Sequence, residues 1–243
     1  MKHLFSTLAF TLVFTVASSA QNEVFSTAQS AYDDGRYAEA VLLYDQLADS
    51  GVANMELHYN LGNAAFKDSD LPKAVFHYRK AWHQAPRDPD IEANLRFALN
   101  AAGAIEPGPG FIERILSTLA RDEWIAVAVG GYVLLMSCLG LMLFLPSARR
   151  ALFRLGLVPV TILFLAGAGW WYWTGLEANP EWVVVKNDAT ALFGPVEGST
   201  AHYKLPLAAL VRQTDTDSKG WIEVEYDGKR GWLEADNIQR VFP

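Results

Sequence analysis

Two long apolar runs, 124–145 and 155–176, constrain the fold of this chain more than any other feature. Neither contains an acidic or basic side chain. Each holds about twenty residues, which at ~1.5 Å rise per residue gives roughly 30 Å of helix, the thickness of a bilayer's hydrocarbon core. A buried helical pair in a soluble domain is the alternative, but soluble helices are rarely apolar on every face for that length. The runs therefore predict a two-helix transmembrane hairpin.

Charged residues around the hairpin predict its orientation. The segment 146–154 contains Arg149, Arg150 and Arg154 and no acid, whereas acidic residues flank both outer ends. Because cytoplasmic loops collect Arg and Lys, we expect 146–154 to lie in the cytoplasm and both flanking parts outside it. Tryptophans at the outer ends are typical of an interfacial belt, namely Trp124, Trp170, Trp171 and Trp173. Small residues that favour helix pairing are Ala126 with Gly130, and Gly167 with Gly169.

The N-terminal residues 1–20 have the pattern of a signal peptide. Lys2 precedes an apolar run, and Ser18 and Ala20 fit the small-residue positions before a cleavage site. Cleaved or retained as an anchor, the segment places residue 21 onward outside the cytoplasm, in agreement with the arginine-rich link. We therefore expect a two-pass protein of the bacterial inner membrane, with both soluble parts on the periplasmic side.

Composition excludes several classes of function. The net charge of −7 argues against nucleic-acid binding, which needs a basic face. The single cysteine, Cys138, excludes a disulfide within the chain. The histidines after the signal peptide lack metal-ligand spacing, and neither a nucleophile elbow nor a phosphate loop occurs. We predict a protein that is not an enzyme and has no cofactor or metal.

Residues 21–104 repeat with a period of 34. The segment 37–47, YAEAVLLYDQL, aligns with 71–81, LPKAVFHYRKA, so that Tyr44 corresponds to Tyr78 (78 − 44 = 34). This resembles the tetratricopeptide repeat, in which small residues allow the two helices of a repeat to cross closely. The resemblance implies an all-α solenoid with repeats at about 21–54 and 55–88 and a capping helix at 89–102.

Members of that family bind extended peptides on the surface lined by the first helix of each repeat. The matching positions of this chain are Gln29, Asp33, Tyr59, Asn60, Asn63, Lys67, Asn94 and Phe97. The asparagines resemble those that hold a peptide backbone or terminal carboxylate in chaperone-adaptor members. The basic partners of that clamp are incomplete, and the alternative is that the asparagines cap or bridge helices.

Two short segments connect the repeats to the hairpin. Residues 105–110 contain alternating Pro and Gly and predict a linker. Residues 111–122 have a one-sided apolar stripe. We expect this helix either to rest in the outer membrane interface or to pack on the repeats.

Residues 181–243 contain five strand-like segments separated by turn signals, including Asp227-Gly228. Five short strands in about sixty residues predict a small closed barrel. The order resembles the bacterial SH3-like domain, with 189–199 at the position of its x-x-R-x-x-P loop. In this chain Leu192-Phe193 replaces the polar or basic residue that the family usually has there. The resemblance implies an aromatic groove for cell-wall peptide or partner proteins, with candidates Tyr203, Trp221, Tyr226 and Trp232. For the two tryptophans, the alternative to ligand binding is packing in the core or at the rim of the barrel.

The complete order is signal peptide, tetratricopeptide repeats, two membrane helices and SH3-like barrel. This multidomain arrangement resembles the Bat aerotolerance proteins of bacteria, of the BatE type. The resemblance implies a membrane complex with Bat proteins that have von Willebrand A-type domains, encoded beside a MoxR-type ATPase and acting in stress response. We expect an envelope scaffold that binds partner proteins, or alternatively a peptidoglycan-binding sensor.

Overall fold

The computed structural model describes residues 20–105, 111–178, 181–187, 189–217 and 219–241. Apart from Ala20 and Ile105, the predicted signal peptide and linker lie outside these residues. The described chain consists of N-terminal helical repeats, two long apolar helices and a C-terminal antiparallel sheet. The predicted order of helical repeats, apolar helix pair and β domain is therefore confirmed.

Five helices form the repeat region. In the first repeat, α1 spans 20–33 and α2 spans Tyr37–Asp49. In the second, α3 spans Met55–Lys67 and α4 spans Leu71–Gln84. The single helix α5 spans Pro89–Ala101 and packs against α4. Its N-terminus is stabilised by Asp88, whose carboxylate accepts hydrogen bonds from two backbone N–H groups, and by Pro89 in the first turn.

Equivalent positions of the two repeats have equivalent conformations. Gly35 and Ser69, which are 34 residues apart, end their helices with positive φ values of 78° and 69°. The two helices of the second repeat cross closely at Gly62, where an added Cβ would lie 2.7 Å from the ring of Tyr78. The small residue is therefore required by the packing of a large aromatic side chain.

Two long apolar helices follow a short one. Helix α6 spans Phe111–Leu116, α7 spans Arg121–Phe144, and α8 spans Arg149–Ala178. Only a 3₁₀ turn, Pro146–Ala148, separates α7 from α8. The three arginines that were predicted in a loop at 146–154 therefore lie on the first two turns of α8. Both long helices have the length and composition needed to cross a membrane.

The helix pair is antiparallel and in close contact. Trp124 lies against Gly169, where an added Cβ would be 2.2 Å from the indole ring, and Gly131 lies against Ile162. The pairing predicted from Ala126 and Gly130 is wrong, since Ala126 is exposed and a Cβ at Gly130 has no described atom beyond its own helix within 4 Å. The same holds for a Cβ at Gly167. Of the predicted small residues, only Gly169 lies in the contact.

Trp124 and Trp173, two of the predicted belt tryptophans, are instead buried between elements. Their indole N–H groups donate to the carbonyl oxygens of Leu116 and Leu119, each at 3.0 Å. Both leucines pack in one hydrophobic cluster with the two tryptophans and with Trp82 of α4. By contrast, Phe111 and Ile112 of α6 are exposed. The segment after the linker thus contacts the repeats and also presents an apolar face outward. Trp170 and Trp171 are exposed and remain belt candidates.

The described residues of the C-terminal domain form a seven-stranded antiparallel sheet with the order β3-β2-β6-β5-β4-β1-β7. The strands are Glu181–Val184, Thr190–Leu192, Ala201–Lys204, Leu210–Thr216, Trp221–Tyr226, Lys229–Glu234 and Ile238–Arg240. The predicted closed barrel is wrong, because β3 and β7 are the two edges and do not pair with each other among the described residues. Five predicted segments became seven strands because β3 was missed and a 3₁₀ turn, Ala235–Asn237, divides the last segment.

The second repeat is attached directly to the sheet and to the hairpin. Arg79 of α4 donates two hydrogen bonds, 2.5 and 2.9 Å, to the carboxylate of Glu181 in β1. The same guanidinium lies 4.4 Å from the ring centre of Trp82, which in turn packs against Trp173 of α8. A further hydrogen bond joins the backbone N–H of Ile105 to the hydroxyl of Tyr226. We call this set of contacts the junction.

The substitution Gly169→Leu tests the helix contact. We expect it to destabilise the full-length protein by about 1–3 kcal/mol, since the new side chain must displace Trp124 from a packed site. Gly167→Leu, two residues away on the same helix, faces open space and is the matched control. The measurement is the thermal unfolding midpoint in neutral detergent. Equal midpoints for the two variants would contradict the described contact.

Candidate functional site

A groove lies between the N-terminal ends of α3 and α5, on helices other than the one that forms the junction. Its volume is about 410 Å³, and its lining residues are Met55, Glu56, Tyr59, Asn60, Asp88, Asp90 and Ile91. We call it the repeat groove. It includes Tyr59 and Asn60 from the eight predicted peptide-binding residues.

Tyr59, Asn63 and Asn94 belong to a hydrogen-bond network inside the repeats. The hydroxyl of Tyr78 donates to Oδ1 of Asn63 at 2.8 Å, and Nδ2 of Asn94 donates to the same oxygen at 3.1 Å. Asn94 also donates to the hydroxyl of Tyr59 at 3.0 Å. These side chains link α3, α4 and α5, as the helix-bridging alternative describes.

The first repeat contains the corresponding bond. The hydroxyl of Tyr44 donates to Oε1 of Gln29 at 3.2 Å, and Gln29 donates to Asp33 at 3.0 Å. Tyr44 and Gln29 are each 34 residues before Tyr78 and Asn63. Burial raises the pKa of Tyr44 to about 12 and also raises that of Tyr78, so both hydroxyls keep the proton that they donate.

Asn60, Lys67 and Phe97 have side chains that are free to meet a ligand. The Asn60 amide lines the repeat groove and has no hydrogen-bond partner within the described part of the chain. Lys67 is exposed at the C-terminal end of α3. Phe97 of α5 is exposed and contacts Phe66 with ring centres 5.3 Å apart. Among the predicted residues, these three are available rather than committed to the internal network.

The charge of the repeat groove is negative. Glu56, Asp88 and Asp90 line it, and none of its described lining residues is basic. One carboxylate oxygen of Asp88 caps α5. The side chains of Glu56 and Asp90 are exposed. This electrostatic environment is unfavourable for a terminal carboxylate and favourable for a cationic side chain.

Two histidines whose spacing in the sequence is not that of metal ligands are in contact in the core of the repeats. The Nδ1 atoms of His58 in α3 and His77 in α4 are 3.1 Å apart, so one ring donates and the other accepts. Burial lowers the pKa of His58 to about 4 and that of His77 well below its usual value. Across the described residues, no group of three or more His, Cys, Asp or Glu side chains is placed to hold a metal ion.

The four aromatic candidates of the C-terminal sheet differ in burial and in their hydrogen bonds. Trp221 is buried, and Trp232 is half-buried opposite Leu192 and Glu223. Tyr203 packs on the sheet core, and its hydroxyl donates to the carbonyl oxygen of Lys229 at 3.1 Å. Tyr226 also packs on this core and accepts the junction hydrogen bond. Ligand binding by these residues stays a prediction.

Sequence reasoning missed one exposed aromatic pair. The ring of Phe193 is stacked on that of His202 with centres 4.0 Å apart, and Phe193 is 62% exposed. Phe193 follows β2 and His202 lies on the edge strand β3. The available signal was an aromatic residue where the SH3-like resemblance leads one to expect a polar or basic one.

Comparison with known families agrees with the geometry of the repeats. Residues 25–89 match the tetratricopeptide repeat family. The match begins within α1 and ends at the first residue of α5, so it covers the two helix pairs. No curated protein matches the chain.

The buried histidine pair predicts a pH dependence of repeat stability. The folded-state pKa of His58 is lowered, so its stabilising contribution is complete above pH 6.5 and is lost as the pH falls towards 4. Between pH 7 and pH 5 we expect a loss of about 2 kcal/mol from this residue alone.

Hydrogen exchange in α3 and α4, expressed as protection factors, measures this loss. The matched control is His202→Gln, which leaves the pair intact and should preserve the pH dependence. His58→Gln should weaken it. A protection factor that is constant from pH 7 to pH 5 in the native chain would contradict the prediction.

Proposed function

We propose that this protein is a non-enzymatic, membrane-anchored adaptor whose tetratricopeptide repeats bind a partner protein. One observation supports the proposal above the others. The junction occupies α4, whereas the repeat groove on α3 and α5 is open and presents the unpartnered amide of Asn60. A repeat domain fixed on one side and open on another is suited to holding a second protein at a defined place.

The partner segment that fits this groove is extended and contains a basic side chain. Glu56 and Asp90 supply negative charge at the groove, and the Asn60 amide can both donate to and accept from a peptide backbone. Phe97, exposed on the same helix as Asp90, supplies an apolar contact farther along. This chemistry differs from the carboxylate clamp of chaperone adaptors, which depends on cationic side chains.

The proposed anchor is the antiparallel pair of α7 and α8, which crosses the bacterial inner membrane. Arg149, Arg150 and Arg154 are the only charged residues between Glu123 and Glu177, and in our proposal they lie on the cytoplasmic side. The repeats and the sheet are then both periplasmic, an arrangement consistent with their direct contact at the junction.

The proposed setting is a Bat-type complex that acts in aerotolerance or envelope stress. The support is the order of segments, together with the repeats as a protein-binding module. In this setting the partners are membrane-bound Bat proteins with von Willebrand A-type domains, and indirectly a MoxR-type ATPase.

Peptidoglycan binding through the C-terminal sheet is the second candidate. The exposed Phe193–His202 stack favours it, because stacked aromatic surfaces suit sugar rings and peptide stems. Of the four aromatic residues first predicted for this role, Trp221 is buried, Trp232 is half-buried, and the two tyrosines pack on the sheet core. We therefore place the adaptor function first.

Site-specific photo-crosslinking in native membranes tests the adaptor function. We expect a crosslinker at position 60 to give a discrete adduct with one partner protein. A crosslinker at Gln46, exposed on α2 away from the groove, is the matched control and should not capture that partner. Glu56→Lys together with Asp90→Lys should reduce the adduct about ten-fold or more, since attraction of a basic segment becomes repulsion. Equal adducts at positions 46 and 60 would contradict the proposal.

Reporter fusions test the proposed topology. Alkaline phosphatase, which is active only outside the cytoplasm, should be active when fused after Ala102 or after Pro243. It should be inactive when fused at Arg150, because the positive-inside rule holds this turn in the cytoplasm. Activity at Arg150 would overturn the orientation, and a cytoplasmic reporter at the same three positions should give the opposite pattern.

A further inference from the structure

The end of the hairpin that is distant from the junction contains a large open groove. It lies between the last turns of α7 and the first turns of α8, and its volume is about 790 Å³. Its apolar part is formed by Met136, Leu139, Leu143 and Phe153. Gly140 also lines it, and a Cβ added there meets no described atom beyond its own helix within 4 Å. We call it the inner-end groove.

Three guanidinium groups line the same groove. They belong to Arg149, Arg150 and Arg154, and none of them forms an ion pair with a described residue. Arg149 donates from Nε to the carbonyl oxygen of Met142 at 3.0 Å, so its side chain is held across the gap between the two helices. The groove therefore combines an apolar floor with uncompensated positive charge.

We propose that the inner-end groove binds an anionic phospholipid. The arginines bind its phosphate through charge-assisted hydrogen bonds, and an acyl chain lies along the apolar side chains of α7. This inference rests on the proposed function, in which the hairpin lies in the membrane with this end at the cytoplasmic leaflet.

The composition of the groove favours a lipid over a soluble anion. A small hydrated anion has no use for an apolar floor, whereas an amphiphile matches both parts. Arginine also suits phosphate better than lysine does, because its planar fork donates two parallel hydrogen bonds. All three basic residues of this turn are arginine.

The positive-inside rule explains the charge of this turn but not the groove. Any arrangement of three basic residues would satisfy that rule, including one on a closed helix pair. Here residues of both helices line an open groove, and all three arginines lie in it. A bound anionic lipid explains why the open groove and the three arginines occur at the same end of the helix pair.

Lipid binding by the purified full-length chain tests the proposal. The protein in neutral detergent is titrated separately with phosphatidylglycerol, cardiolipin, phosphatidylcholine and inorganic phosphate, and bound molecules are counted by native mass spectrometry. We expect an anionic lipid to bind about ten-fold or more tightly than phosphatidylcholine, given the worth of each arginine near a lipid phosphate. Inorganic phosphate should neither bind nor compete.

Two pairs of variants locate the site. Gly140→Leu fills the groove and should weaken anionic-lipid binding about ten-fold, while Gly130→Leu, also in open space on α7, should not. Arg154→Gln should weaken binding, while Arg114→Gln, at the other end of the hairpin, should not. Equal binding of phosphatidylcholine, or unchanged binding by Gly140→Leu, would overturn the proposal.

Alkaline extraction of native membranes separates this inference from the proposed function. If alkali releases the chain, the membrane anchor itself is wrong and both fall. If the chain resists extraction but shows no preference for anionic lipid, only the lipid site is wrong. Competition by inorganic phosphate would show an anion site that is not a lipid site.

Discussion

The interaction on which the arrangement depends is the ion pair of Arg79 with Glu181. Both side chains are largely removed from solvent, at 12% and 22% exposure, and two hydrogen bonds join them. Removing one partner of such a pair leaves an uncompensated charge, which in general costs about 3–5 kcal/mol. Because Arg79 also lies over Trp82, the pair orders the indole that packs on Trp173. One side chain of α4 thus links the repeats, the sheet and the hairpin.

This attachment determines which surface of the repeats is left for a partner. Additional contacts reinforce it, including the ion pair of Arg87 with Glu123 and the hydrogen bond from Ile105 to Tyr226. The backbone N–H of Ala120 and then Arg87 lower the pKa of Glu123, so this carboxylate remains charged. With α4 committed, the recognition surface that we propose lies on α3 and α5. Asn60 is open to a ligand, whereas Asn63 and Asn94 are not, because tyrosines from neighbouring helices already satisfy them.

Sequence periodicity predicted those features that depend on local order. The 34-residue offset placed Tyr44 and Tyr78 at equivalent positions, and the apolar runs marked the helix pair. Periodicity could not identify the contact face of the two long helices, because these helices are apolar on every side. Residues two apart lie about 200° apart on a helix, so Gly167 and Gly169 face different environments despite similar surroundings in sequence. The edge strand β3 was missed because its residues are mostly exposed, and barrel closure depends on pairing between distant segments.

The two ends of the helix pair differ in how closely they are packed, and a glycine lies at each end. Glycine at position 169 admits the indole of Trp124, which closes the outer end and, through its N–H, fixes the segment that leads to the repeats. Glycine at position 140 lines the groove that also contains the three arginines, so this face of the other end is open. A closed end that contacts protein holds the soluble domains in place. In our proposals, the open, cationic end contacts the lipid leaflet, and the other end holds the repeats that present the partner site.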